Sequence, residues 1–161
     1  MPTAKKSDNV DIGVRFLCPQ NFLTRRGILQ ICGFLKTACR LRHLRLTCVL
    51  APETVMRRLN RRFHGRDRGT DVLAFDLGPA PADGVRSADI VVGVDRARSA
   101  ARRLGVPVPE ELVRYIVHGV LHLSGFSDAT PAGRRRMRRR QEELVRCVMR
   151  RIFSQSSRTR T

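Results

Sequence analysis

The chain has no tryptophan and a single tyrosine, and seven phenylalanines complete its aromatic complement. Few rings are available to stack on bases, so any nucleic-acid contact should fall on phosphate and sugar. The five cysteines, Cys18, Cys32, Cys39, Cys48 and Cys147, are odd in number and form no CxxC pair. That pattern argues against both a disulfide framework and a cysteine-rich zinc site, and the thiols are read as inert small hydrophobes. No apolar run is long enough to span a bilayer. The opening MPTAKKSDNV has two lysines but no apolar segment behind them, so it does not read as a secretory signal. A soluble, cytoplasmic protein with no membrane partner is expected.

Acidic residues are also scarce. Asp and Glu total 14 against 32 Lys and Arg, a net charge of +18. Most of the excess is arginine, whose planar fork matches phosphate. A polyanionic partner is implied, and nucleic acid is the commonest. The blander source is an arginine-rich proteome encoded by a GC-rich genome.

What is present suits one domain. The 161 residues, 42% of them hydrophobic, are enough to bury a core. A single domain over 1–161 is expected, ordered from about 10 to 152, with a tail from 153 too poor in apolar residues to pack. DIGVRFL (11–17) and LRLTCVLA (44–51) alternate as half-buried strands, and VLAFDL (72–77) and ADIVVGV (88–94) supply two more. Helical spacing runs through 21–40, through a short segment opened by Pro52 and Glu53, and through 95–104, which Gly105 stops. The most apolar helix starts at Pro109, and a last one starts near Thr130. The order β-α-β-α-β-β-α-α-α indicates an α+β fold, a small four-stranded mixed sheet packed with about five helices.

The chemistry concentrates in HGVLHLSGFSD (118–128). His118 and His122 are one helical turn apart, so both imidazoles can reach one zinc at about 2.0–2.1 Å. Gly125 can take a positive φ and turn the chain, which would bring Asp128 back as a third, oxygen ligand. Three protein ligands leave one position open, the arrangement of a catalytic zinc. Against this, two histidines four apart on a helix are most often coincidence, and spacing alone leaves both readings open. The spacing also follows HExxHxxGxxH peptidases, but their general-base glutamate is Gly119 here.

HGVLHLSGFSD resembles the HGxLHLxGYDH signature of the YbeY family, bacterial zinc-dependent endoribonucleases of rRNA maturation. LNRRFHGRDRGTDVLAF (59–75) is similar to that family's LNxxYRGKDxPTDVLSF, and ADIVVGVDRA (88–97) to its GDIVIS strand. The resemblance implies one Zn2+ per chain held by His118, His122 and Asp128, on a centrally buried helix. It also implies a single-strand-specific endoribonuclease acting on small-subunit (16S) precursor rRNA. The implied partners are rRNA and the ribosomal small subunit, with ribosomal proteins or an assembly GTPase as further candidates.

Three departures from the pattern bear on this. Asp128 replaces the family's third histidine; carboxylate can ligate zinc but is a harder donor. Ser127 stands where the family has aspartate, so a supporting carboxylate near the ligands is missing, while Asp71 matches the family and is expected near the same cleft. His64 replaces a family arginine. It is expected either to steady phosphate or shuttle a proton, or to be a loop histidine whose charge role passes to Arg61, Arg62 or Arg66. A non-catalytic ribosome-assembly factor and a metallopeptidase remain the alternative readings.

Overall fold

Alternation of apolar residues and the placement of caps build a mixed sheet with five helices, described over residues 11–154 in a computed structural model. In chain order the elements are β1 (Ile12–Phe16), α1 (Arg25–Ala38), β2 (Arg45–Ala51), α2 (Glu53–His64) and β3 (Val72–Pro79). They continue with β4 (Arg86–Gly93), α3 (Val94–Leu104), α4 (Val108–Leu123) and α5 (Pro131–Phe153). The sheet order is β1-β2-β4-β3, with β1, β2 and β4 parallel and β3 antiparallel to β4. The expected α+β architecture is the one observed. The tail expected from 153 starts later, because Phe153 ends α5 and packs against the core; residues 155–161 lie outside the described residues, as does the segment before Asp11.

Two boundaries differ from the periodicity. The helix expected from residue 21 starts at Arg25, because Gln20 closes a turn first. Its Oε1 accepts from the Phe22 and Leu23 amides (2.9 and 3.0 Å), and Thr24 then caps α1 by accepting from Gly27 N. The loop expected between the last two strands is shorter, because pairing continues to Gly78↔Ser87 and Pro79↔Arg86 past an irregularity at Asp76–Gly78. Asp76 holds that end: it binds Arg86 at 2.6 Å and accepts from Gly78 N at 3.0 Å. Pairing across an irregularity leaves no trace in period-2 alternation.

Both sheet faces are covered. Val49, Leu73 and Val91 pack under Met56 of α2 on one side. On the other, Leu46, Leu50, Ile90 and Val92 join a larger core with Ile28, Ile31 and Leu35 of α1 and Leu112, Ile116 and Val120 of α4. α4 is the central helix, in contact with α1, α3, α5, β3 and β4. Its approach to the sheet depends on Gly119, where an added Cβ would meet Ile90 Cγ2 and Val72 Cγ2 at 3.0 Å. Cys32 and Cys48 are buried together, and their mutual hydrogen bond and burial push the Cys48 thiol well up. A thiol held protonated is a poor nucleophile, in keeping with the inert reading.

Candidate metal centre and its cleft

Helix α4 presents His118 and His122 on its outer side, and Nε2 of one lies 3.0 Å from Nε2 of the other. The opposite ring nitrogens are engaged. His118 Nδ1 is 2.8 Å from Gln141 Oε1, and His122 Nδ1 is 3.3 Å from the Phe126 carbonyl. Amide and carbonyl oxygens only accept, so both Nδ1 atoms carry the proton and both Nε2 atoms offer lone pairs. Two lone pairs at 3.0 Å repel unless a cation or a proton lies between them. Burial, and then His118, lower the His122 pKa, which favours the neutral, ligating form.

The third donor arrives by a turn. Ser124 and Phe126 close the α4 end by donating to Val120 O (3.0 Å) and Leu121 O (3.1 Å), and Gly125 takes φ +99°. The chain reverses there, as its glycine indicated. Asp128 Oδ2 stands 3.8 Å from His122 Nε2 and 4.0 Å from His118 Nε2. The three ligand atoms lie within 4.8 Å of one another. A tetrahedral zinc with ligands at about 2.0–2.1 Å needs donor separations near 3.3 Å, which a small rotation of the half-exposed Asp128 carboxylate supplies. The donor set therefore fits a metal ion.

The loop is seated by Gly133. A Cβ there would come within 2.4 Å of the Ser127 carbonyl, so α5 and the Asp128 loop touch through backbone. Ser127 Oγ accepts from Ala129 N at 3.2 Å and shapes the turn. Arg134 donates to the Asp128 carbonyl at 3.1 Å from the first turn of α5.

His118 and Asp128 border a cavity of about 660 Å³ between α3, α4 and α5. Asp71 and Arg96 line it and also line a neighbouring depression of about 420 Å³, together with Arg66 and Arg68. Asp71 thus lies at the cleft that His118 and Asp128 border, whereas Arg66 lines only the neighbouring depression. His64 does not: it is exposed at the last residue of α2 and lines neither cavity. Arg61 and Arg62 are exposed on the same end, with Arg62 stacked on Phe63 at 5.6 Å. Gly119 faces the sheet, so the position of a peptidase glutamate has no room for a side chain.

Two functional contacts escape sequence reasoning. Gln141 orients His118, and Arg114 holds Gln141's helix in place. Arg114 binds Glu142 at 2.9 Å, Glu110 at 3.1 Å and the buried Glu111, tying α4 to α5. Its hydrogen bond holds the Glu142 carboxyl below its usual range. That contribution is present above about pH 4.5 and is lost as the pH falls through the lowered value. Arg114→Ala leaves Glu111 buried and unpaired, and is expected to cost about 3–5 kcal/mol in urea unfolding. A cost within error of zero would show that the network does not brace α5.

Comparison with known proteins extends the picture. The family model for "Endoribonuclease YbeY" matches residues 20–148. An endoribonuclease YbeY from Anaeromyxobacter sp. is 41% identical over 101 residues, covering 63% of this chain and 53% of that protein. One from Salinibacter ruber is 37% identical over 110 residues, covering 65% and 70%. The match spans about half the length of the Anaeromyxobacter relatives. A solution structure from Thermotoga maritima shares the fold, with a TM-score of 0.61 and 24% identity over 89% of this chain and 93% of that one.

Proposed function

The chain belongs to the YbeY family, and from that membership and the site's geometry we propose that it is a metal-dependent endoribonuclease of rRNA maturation. The observation that carries the reading is the pair of Nε2 atoms 3.0 Å apart, with Asp128 beside them, opening on an arginine-bearing cleft. We assign the ion as zinc, one per chain; when bound it would supply Lewis acidity toward a phosphate oxygen or a water. His118 and His122 hold their tautomers through Gln141 and Phe126. Asp128 contributes the negative charge of the site. Arg66 and Arg96 hold phosphate from the α2 side, and His64, Arg61 and Arg62 meet the strand beyond the cavity. Asp71, between the two depressions, keeps phosphate from settling away from the ligands by like-charge repulsion.

The substrate in this reading is single-stranded small-subunit (16S) precursor rRNA, met in the cytoplasm on or near the ribosomal small subunit. Ribosomal proteins or an assembly GTPase would present it. The described residues include no helix long and apolar enough to cross a membrane.

The test is metal content per chain by mass spectrometry, on protein purified without a histidine tag, beside Asp128→Ala. About one zinc in the parent and a clear loss in the variant is the expected result. A parent that stays metal-free when zinc is supplied leaves a non-catalytic assembly factor as the better reading.

A further inference from the structure

Helix α5 carries nine arginines against two glutamates, with no acidic residue in its first turn. The core-facing stripe, Met137, Leu144, Val145 and Val148, is buried, and Arg135, Arg138, Arg139 and Arg146 lie off it and are exposed. Both glutamates are engaged, Glu142 with Arg114 and Glu143 with Arg140. Arg135, Arg138 and Arg139 are exposed and have no acidic partner among the described residues. Residues 135, 139, 142 and 146 follow one another at helical spacing, so Arg135, Arg139 and the exposed Arg146 lie on one ridge, with Glu142, held by Arg114, between the last two. The ridge is about 16 Å long. Beside it, Arg134 and Arg138 line the wall of the metal cavity, where Arg134 reaches the Asp128 carbonyl.

We propose that this ridge is a phosphate track for single-stranded RNA leading away from the metal site, a reading that rests on the ribonuclease assignment. The i,i+3 and i,i+4 pairs Arg135–Arg138, Arg134–Arg138 and Arg135–Arg139 repel, and a polyanion lying along them relieves that repulsion. The track is continuous with the cavity wall through Arg138, so a strand with one phosphate at the ligands has its flank over α5. The ridge has no exposed apolar or aromatic residue, unlike a membrane-inserting helix or a protein interface with anchors. Recognition is therefore of backbone charge, with little dependence on sequence.

The test is binding of uncleavable 2′-O-methyl RNA by fluorescence anisotropy across a salt titration. Strands of about twelve and about four nucleotides are compared, the longer able to reach the ridge. Replacing Arg135, Arg139 and Arg146 together by glutamine is expected to flatten the slope of log K against log salt by about 2 for the longer strand, at about 0.7 per phosphate contact. The slope for the shorter strand stays as in the parent, and a triple lysine variant restores the parent slope for the longer one. Equal flattening at both lengths, or none at either, overturns the track while leaving the ribonuclease assignment intact if the parent still cuts RNA. A parent that binds neither strand overturns both. Loss of binding to anionic lipid vesicles with RNA binding unchanged would make the ridge a membrane contact and overturn the proposal.

Discussion

Replacing His118 and His122 together with alanine is expected to bring metal content to background and to reduce RNA cleavage about 10³-fold or more. The size follows from comparison with milder damage. Gln141 only orients His118, through a 2.8 Å contact to Nδ1, and loss of such a partner typically costs about 10–100-fold. Gln141→Leu should therefore retain metal at raised zinc concentration and lose activity within that smaller range, whereas the double alanine variant cannot be rescued by zinc. Fold loss is not the expected cause. Both histidines are partly exposed, and the large side chains that seat α4, such as Leu112, Ile116 and Leu121, lie on its buried faces. The check is metal analysis, circular dichroism and cleavage of a single-stranded RNA on the same preparations. Full cleavage by a folded, metal-free double variant would remove the metal from the chemistry altogether.

The same pair of variants separates local from distant information. His118, His122, Gly125 and Asp128 fall within eleven residues, so helical spacing and one turn glycine are enough to read them from the chain. Gln141 is 23 residues from His118, and Arg114 is 28 from Glu142. No periodicity on α4 or α5 reports which faces of the two helices meet, because that is set by packing over the sheet. His64 shows the opposite failure. Its neighbours Arg61, Arg62 and Arg66 make a basic segment look like one unit, yet α2 ends at His64 and Gly65 turns left-handed at φ +65°. Arg66 and Arg68 are delivered to the depression beside the cleft beyond that turn, while His64 stays outside both. The sheet was legible because its four strands alternate or run apolar. The β3–β4 extension was not, since polar pairs such as Asp76 and Arg86 hold it.

Gly119→Glu is expected to abolish folding. Even a methyl group at 119 would lie 3.0 Å from both Ile90 Cγ2 and Val72 Cγ2, inside the seam between α4 and the sheet. A glutamate adds volume that the seam lacks and a carboxylate that finds no partner there, a combination in the class of losses above about 4–5 kcal/mol. Against a typical total of about 5–15 kcal/mol, that leaves little or no native protein. Gly119→Ala separates the two contributions. Overpacking costs about 1–3 kcal/mol, and the gain from replacing a mid-helix glycine returns about 0.5–1 kcal/mol of it. Urea unfolding followed by far-ultraviolet circular dichroism gives both values. A glutamate variant as stable as the parent would mean that α4 stands further from the sheet, with space for a general base beside His118. The expected result instead ties the site's chemistry to its fold. The glycine that lets α4 close on β3 and β4 is also the residue that denies this histidine pair a peptidase's glutamate, so any proton transfer at the site must come from elsewhere in the cleft.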